Sequence, residues 1–138
     1  MNITLFTDGG SLNNPGQAAY GYAIYSEKDL MFSFSERIGI ATNNIAEYTG
    51  LIKGLEKIKE FIGNKALKGI KKIIVKADSS LMVNQLNGLF RVKDSKIREQ
   101  VFAIRVLENE INLPIIYIHI YREENVFADS LVKKALGR

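Results

Sequence analysis

Side chains alternate in character along Leu30–Ser35, a period of two that is typical of β-strands. The alternation is clearest where Phe32 and Phe34 are separated by a serine. Glycine, asparagine and proline are frequent in Asp8–Gly16, a composition typical of turns, so Asp8 is expected to end the first strand. The predicted strands are Asn2–Thr7, Ala19–Ser26 and Leu30–Ile38, and we expect them to form an antiparallel meander.

Hydrophobic residues then recur every three or four positions, the spacing of a helix with one apolar face. This pattern is longest over Asn44–Ile62. Two apolar strands follow, at Lys71–Ala77 and Ile115–Tyr121, and the second is expected to lie inside the sheet because it is apolar on both faces. Further helices are predicted at Ser79–Asn87 before Gly88, from Asp94 or Ser95 to Ile111, and at Asn125–Leu136.

The predicted order is three strands, a helix, a strand, two helices, a strand and a helix. Strands joined by helical crossovers lie parallel, and the helices then cover both faces of the sheet. We therefore predict an α/β fold with a mixed sheet, in which antiparallel strands are followed by parallel ones. No repeat, linker or low-complexity segment divides the chain, which favours one domain over residues 1–138.

Composition excludes several classes of protein. The chain has 138 residues, 46% of them hydrophobic and 25% charged, which are values of a globular protein rather than a disordered one. It contains no cysteine, which excludes disulfides, thiolate metal sites and cysteine nucleophiles. No leader segment or long apolar run is visible, so we expect a cytoplasmic protein without a membrane partner.

Positive charge is concentrated in the later part of the sequence. The formal net charge is +4, with a net of −3 over residues 1–50 and +7 over residues 51–138. Lysine and arginine cluster at Lys65–Lys76 and at Arg91–Arg105. Each cluster is either an ordinary solvated surface or a phosphate-binding surface, and the sequence leaves both interpretations open.

Four acidic residues lie at the edges of predicted elements. Asp8 and Asp78 end the first and fourth strands, while Glu47 and Asp129 lie in the first turns of two helices. If the first and fourth strands are parallel neighbours, Asp8 and Asp78 emerge at the same edge of the sheet. Four carboxylates in one small volume would raise one another's pKa values, and a divalent cation such as Mg²⁺ or Mn²⁺ removes that conflict.

Each acid also has a purely structural explanation. Asp8 could form a turn, and Asp78 could cap the helix that follows it. Glu47 could complete a capping box with Asn44, and Asp129 could pair with a lysine four residues later. Taken together with their flanking residues, however, the four acids favour a shared site.

The flanking segments are distinctive. They are TDGGSLNNPGQAAYGYAI around Asp8, ATNNIAEYTGLIKGL around Glu47, VKADSSLMVNQLNG around Asp78 and REENVFADSLVKKA around Asp129. In order and separation they resemble the motifs of type 1 ribonuclease H, and the resemblance extends from about Ile3 to Ala135.

The resemblance implies a five-stranded mixed sheet of order 3-2-1-4-5. It also implies hydrolysis of the RNA strand of RNA/DNA hybrids, leaving 5′-phosphate and 3′-hydroxyl ends. We expect the chain to be a monomer. Two Mg²⁺ ions, or Mn²⁺ in their place, would lie roughly 3.5–4 Å apart and share Asp8. Asp8 and Asp129 would bind the ion that activates water, and Asp8, Glu47 and Asp78 the ion that stabilises the leaving oxygen.

The same resemblance suggests which residues contact the substrate. In the family, the loop after the first aspartate approaches the 2′-hydroxyls of the RNA strand, and an asparagine pair contacts the hybrid. Ser80 stands where relatives often have glutamine, and its shorter side chain reaches less far. The expected substrate-binding residues are Gly9, Gly10, Asn13, Asn14, Asn43, Asn44 and Ser80.

Two features depart from the family pattern. Many relatives carry a mobile histidine before the last aspartate, and His119 has that position here, although a histidine within a strand is more often structural. Arg122 is the alternative auxiliary residue, as a phosphate-positioning or product-release group. The basic handle helix of some bacterial members is missing, so hybrid affinity would depend on other cations or on an additional protein. The candidate cations are Arg91, Lys93, Lys96 and Arg98.

Three other functions remain open at this point. A binding module of the same fold would not need all four acids. A nucleotide phosphotransferase of this fold closes two domains over ATP, for which 138 residues are few. A DNA-strand nuclease or resolvase is the nearest enzymatic alternative, and only the substrate distinguishes it.

Overall fold

The computed structural model describes residues 1–138, and one five-stranded sheet organises them. The strands are β1 (Asn2–Ser11), β2 (Gly16–Ser26), β3 (Asp29–Ala41), β4 (Lys72–Ala77) and β5 (Ile115–His119). Their order across the sheet is β3-β2-β1-β4-β5. The β1–β2 and β2–β3 pairs are antiparallel, and the β1–β4 and β4–β5 pairs are parallel. The predicted mixed sheet and its strand order are therefore confirmed.

Four helices cover the sheet. They are α1 (Asn43–Gly63), α2 (Ser80–Leu86), α3 (Ser95–Ile111) and α4 (Val126–Ala135), and a short 3₁₀ turn at Arg122–Glu124 precedes α4. The helix starts are fixed by caps: Thr42 accepts from the Ile45 N–H, and Asp94 accepts from the N–H groups of Lys96 and Ile97. None of these helices combines the length and apolar character that crossing a bilayer requires.

The main core lies between one face of the sheet and helices α1, α2 and α3. Ile3, Leu5, Leu55, Ile73 and Val75 are buried in it, as expected for alternate residues of neighbouring strands. Burying each such side chain contributes about 1.5–3 kcal/mol. Helix α4 packs on the opposite face, chiefly against β2. Because two helix layers enclose the sheet, its central strands are held firmly and can present functional groups at their ends.

Strand β1 extends beyond the predicted turn, and the prediction that Asp8 ends the strand is wrong. Gly9 and Gly10 are paired with Tyr20 and Ala19 of β2. A Cβ atom at Gly9 would lie 2.3 Å from the carbonyl carbon of Ala46, so only glycine allows α1 to approach β1 this closely. Gly9 therefore serves close packing within a strand, whereas the nearest atom to a Cβ at Gly10 would be 3.8 Å away.

Strand β5 is an edge strand, and the prediction of an interior strand is also wrong. It pairs only with β4, and Ile116 and Ile118 are 42% and 39% exposed. Its other face is partly covered, since Tyr117 is buried against the core and donates a 2.7 Å hydrogen bond to Glu108. Apolar residues on both faces of a strand do not distinguish an interior strand from an edge whose outer face is left open.

The contact of Gly9 with α1 gives a test of this packing. Gly9→Ala should lower the free energy of unfolding by about 1–3 kcal/mol, because the added methyl group would overlap the backbone of Ala46. Gly10→Ala is the matched control, since the nearest atom to a Cβ there is 3.8 Å away. Chemical denaturation measures both variants. Equal losses of stability would show that the close contact at Gly9 does not constrain the fold.

Candidate active site

Three carboxylates converge beside the carboxyl end of β4. One oxygen atom from each of Asp8, Glu47 and Asp78 lies within 4.8 Å of the others. Thr7 of β1 pairs with Ala77, the last residue of β4, in parallel register. The residues that follow them in the chain, Asp8 and Asp78, therefore lie side by side. Glu47 follows Ala46, the residue of α1 that packs against Gly9. We call these three acids the acidic triad.

Asp129 lines the same cleft from the other side. The cleft has a volume of about 440 Å³. Asp8 pairs with Gly21 across β1 and β2, so the two residues point to the same face of the sheet. That face is covered by α4, because a Cβ at Gly21 would lie 2.7 Å from Leu131 of α4. Asn125 fixes the start of α4, since its buried side-chain amide donates a 2.9 Å hydrogen bond to the Thr7 carbonyl. The cleft lining includes Asp8, Glu47, Asp78, Asp129, Gly9, Gly10, Ser11, Asn43, Arg122, Lys133 and Arg138.

Asp129 differs from the triad in its charge environment. Lys133 Nζ lies 2.9 Å from Asp129 Oδ2, and Arg122 Nη2 lies 3.5 Å from Oδ1. Burial alone would raise the pKa of Asp129, but its hydrogen bond and ion pair with Lys133, together with Arg122, hold that pKa below its usual value. Asp129 is therefore a charge-balanced carboxylate at the edge of the triad.

The triad itself has no cationic partner. No lysine or arginine forms an ion pair with Asp8, Glu47 or Asp78. Burial, followed by repulsion from Asp78, raises the pKa of Asp8 to about 8 and that of Glu47 to about 7. A hydrogen bond from Ser79 partly offsets the shift at Glu47. Three close carboxylate donors without a counter-ion fit a hard divalent cation such as Mg²⁺ or Mn²⁺.

The structural explanations of the acids hold for only one of the four. Asp8 lies within a strand and not in a turn. Thr42 caps α1, so there is no capping box with Asn44. The prediction that Glu47 lies in the first turn is wrong, because α1 begins at Asn43 and Glu47 falls in its second turn. Ser79, rather than Asp78, caps α2. Asp129 does pair with Lys133 as that explanation required.

Some expected substrate-binding residues line the cleft and also organise it. Gly9, Gly10 and Asn43 are in the lining. The side-chain oxygen of Asn43 accepts hydrogen bonds from the N–H and hydroxyl of Ser11, at 2.8 and 3.1 Å. Asn14 accepts from the backbone N–H of Asn43 at 3.0 Å. These bonds tie the β1–β2 turn to the start of α1 and leave the Asn43 amide NH₂ as the available donor.

The other expected substrate-binding residues lie outside this cleft. Asn44 lines a second cleft together with Asp94, Ser95 and Lys96, and its side-chain oxygen is buried without a hydrogen-bond partner. Asn13 and Ser80 are exposed and are in the lining of neither cleft.

The two candidate auxiliary residues are placed differently. Arg122 lines the cleft beside Asp129. His119 is exposed at the end of β5, where its ring lies 6.0 Å from that of Tyr121, and it is not in the cleft lining.

Several cleft residues were not among the candidates from the sequence. Ser11 belongs to the motif around Asp8 but was not singled out, and Arg138 carried no motif signal and reaches the cleft only through folding. Lys133 was recognisable only as a possible partner of Asp129. Asn125 stands in the segment around Asp129, but its role depends on a hydrogen bond to a strand 118 residues away in sequence.

Comparison with known proteins agrees with this geometry. Residues 6–135 match the protein family described as "Reverse transcriptase-like". A ribonuclease HI of Halobacterium salinarum is 34% identical over 135 residues, which cover 97% of this chain and 64% of that protein. The bifunctional protein Rv2228c of Mycobacterium tuberculosis is 32% identical over 138 residues, 99% of this chain and 36% of that protein. The chain thus spans between about a third and two thirds of the length of these two relatives.

Two solved structures share the fold along nearly their whole length. LC11-RNase H1 in complex with RNA/DNA hybrid superimposes with a TM-score of 0.90 at 36% identity, covering 98% of this chain and 96% of that one. RNase H1 from the halophilic archaeon Halobacterium salinarum gives a TM-score of 0.88 at 32% identity, covering 99% and 98%. The chain therefore belongs to the reverse transcriptase-like family and has the ribonuclease H fold.

Proposed function

We propose that the chain is an endoribonuclease that hydrolyses the RNA strand of RNA/DNA hybrids and leaves 5′-phosphate and 3′-hydroxyl ends. The observation that carries this proposal is the acidic triad, whose three carboxylates lie close together without a cationic partner. The related LC11-RNase H1 was solved in complex with RNA/DNA hybrid, which supports the same substrate class for this chain.

The acids are assigned to two metal sites in this proposal. Asp8, Glu47 and Asp78 would hold one ion, and Asp8 with Asp129 the other. When bound, divalent ions lower the pKa of water to produce a nucleophile and stabilise negative charge on the leaving oxygen. Both Mg²⁺ and Mn²⁺ suit an all-carboxylate donor set.

Other residues of the chain would position these acids and the RNA strand. Asn125 holds the start of α4 against β1 and so fixes the place of Asp129 relative to Asp8. Lys133 and Arg122 keep Asp129 ionised, and Arg122 can also contact a phosphate at the mouth of the cleft. The absence of a side chain at Gly10 would allow close approach of the RNA backbone, and the Asn43 amide would donate to a 2′-hydroxyl.

A binding-only module is the main rival from outside the enzymes. The triad argues against a binding-only module, because close and unpaired carboxylates repel one another and also repel a polyanion. A DNA-strand nuclease would use the same acids, and a phosphotransferase would consume ATP. Incubation with hybrid, double-stranded RNA, double-stranded DNA and ATP, each with Mg²⁺ or Mn²⁺, separates the four functions. Cleavage confined to the RNA strand of the hybrid is the expected result.

Removing one ligand of the triad should abolish cleavage. Asp78→Asn is expected to reduce the rate of hybrid cleavage in Mg²⁺ by roughly a thousandfold, since several kcal/mol of transition-state stabilisation is lost. Asp29→Asn, at an exposed position at the start of β3, is the matched control and should cleave normally. Single-turnover cleavage of labelled hybrid measures both. Full activity of Asp78→Asn would refute the assignment.

Stability of the metal-free chain should fall as pH rises. The pKa values of Asp8 and Glu47 are about 8 and about 7 in the folded chain, against ordinary values of 3.8 and 4.5. The folded state therefore binds more protons than the unfolded state between these values, and the free energy of unfolding decreases from about pH 5 to about pH 8. Mg²⁺ should restore the loss at about pH 8.

Urea denaturation with EDTA or with Mg²⁺ at both pH values measures this dependence. Glu47→Gln removes one of the two groups and should flatten the decrease. A metal-free stability that is constant or rises over this range would contradict the raised pKa values.

Hybrid binding should weaken steeply with salt. The exposed cations Arg91, Lys93, Lys96 and Arg98 would contact phosphates, and displaced counter-ions make such binding salt-dependent. The dissociation constant should rise at least tenfold between about 50 and about 200 mM salt, and Lys96→Ala should reduce the slope of its logarithm by about one. Lys28→Ala is the control on the β2–β3 turn. An affinity that does not change with salt would exclude this surface.

A further inference from the structure

Tyr48 and Gln85 form a hydrogen-bonded pair inside the otherwise apolar core. Tyr48 is fully buried, Gln85 is 9% exposed, and the Tyr48 hydroxyl donates a 2.8 Å hydrogen bond to Gln85 Oε1. Glu47 of the triad directly precedes Tyr48 in α1. Gln85 lies in the last turn of α2, which begins two residues after Asp78. The pair therefore links the two helices whose relative placement sets the distance between Glu47 and Asp78.

Helix α2 is too short to hold its position by itself. It has seven residues, and isolated helices shorter than about 12–15 residues are marginal in water. Its buried side chains Met82, Val83 and Leu86 pack in the main core. The hydrophobic effect that buries them is non-directional, so it does not by itself fix the rotation or tilt of the helix. Directional bonds are needed to set how α2 lies against α1.

Polar contacts supply this direction at both ends of α2. At its start, the Ser79 hydroxyl donates to Glu47 and accepts from the N–H of Met82. At its end, side-chain bonds connect it with three other elements. They join Tyr48 of α1 to Gln85 at 2.8 Å, Arg105 of α3 to the Leu86 carbonyl at 2.6 Å, and Asn87 to the Tyr117 carbonyl of β5 at 3.2 Å. Among these three, only the Tyr48 bond comes from the helix that carries Glu47.

Stability alone is a weak reason for this pair. A buried hydrogen bond adds little net stability, because folding exchanges it for bonds to water, and an apolar pair of the same shape would be nearly as stable. Neither Tyr48 nor Gln85 is in the cleft lining, so neither has a direct contact to offer a ligand there. What the bond adds over apolar contact is a fixed distance and direction between two helices.

We propose that Tyr48 and Gln85 are positioning residues, which hold α2 and thereby Asp78 at the distance from Glu47 that one divalent cation bridges. This inference rests on the proposed function, since it takes the triad to be a metal site. The triad oxygens lie within 4.8 Å of one another and repel. Without the Tyr48 bond, this repulsion would push the start of α2 away from α1, and the triad would bind a cation more weakly.

Mn²⁺ binding by the substrate-free chain tests the proposal, with the signal of the free ion followed by electron paramagnetic resonance. Tyr48→Phe should weaken Mn²⁺ affinity roughly tenfold, the low end of the effect that outer partners of metal ligands have. Tyr20→Phe is the matched control. It also removes the hydroxyl of a buried tyrosine that donates to a side-chain oxygen, here at 2.9 Å to Glu36, and both residues lie outside the cleft lining. Tyr20→Phe should bind Mn²⁺ as the wild type does.

The double variant Tyr48→Phe/Gln85→Leu separates positioning from stability. It replaces the pair with apolar side chains and leaves no polar group unsatisfied, so urea denaturation should show stability restored toward that of the wild type. Its Mn²⁺ affinity should stay roughly tenfold low, because the directional bond is still missing. Recovery of affinity together with stability would show that the pair only fills the core, and would overturn the proposal. Unchanged Mn²⁺ affinity in Tyr48→Phe would overturn it as well.

Cleavage assays keep this inference distinct from the proposed function. In Tyr48→Phe, the Mg²⁺ concentration that gives half-maximal cleavage should rise roughly tenfold, while KM for hybrid at saturating Mg²⁺ stays the same. A raised KM with an unchanged Mg²⁺ requirement would contradict positioning of the triad. A wild-type chain that binds Mn²⁺ but cleaves no hybrid would refute the proposed function, and the Mn²⁺ affinities of the variants would still decide the positioning role. A wild-type chain that binds no Mn²⁺ would refute both.

Discussion

Repulsion among three partly buried carboxylates is the constraint on which the rest of this structure depends. Asp8, Glu47 and Asp78 approach within 4.8 Å without a counter-ion, and an isolated arrangement of this kind would separate or take up protons. The fold prevents separation with rigid backbone. Parallel pairing of β1 with β4 sets two of the acids side by side, and the contact of Gly9 with Ala46 sets the third. A divalent cation bound between them would relieve the repulsion.

Asp129 shows how one cleft holds two kinds of carboxylate. Its pKa is depressed because Lys133 and Arg122 balance its charge, whereas burial and mutual repulsion raise the pKa values of Asp8 and Glu47. The difference follows from position: the triad lies where strand ends and α1 meet, and Asp129 lies on a helix face that also carries Lys133. An arrangement with one uncompensated group of acids and one compensated acid suits two cation sites of unequal affinity.

The mixed sheet and the meeting of Asp8 with Asp78 were predictable, because strand alternation and the parallel-crossover rule involve only local patterns and topology. The extended conformation of Gly9 and Gly10 was not predictable, since glycine pairs are typical of turns and the requirement for glycine at Gly9 comes from the distant backbone of Ala46. The strand order implied by the resemblance places β5 at the edge, but the residues of β5 alone do not encode which of its faces is covered. Arg138 reaches the cleft only through tertiary packing.

The most direct test of the central claim is a crystal of the metal-free chain soaked in Mn²⁺, with anomalous diffraction recorded near the manganese edge. The account predicts a strong anomalous peak coordinated by oxygen atoms of Asp8, Glu47 and Asp78 together, and no such peak in crystals of Asp78→Asn. A wild-type map without density between these three carboxylates, at a Mn²⁺ concentration that supports cleavage, would contradict it.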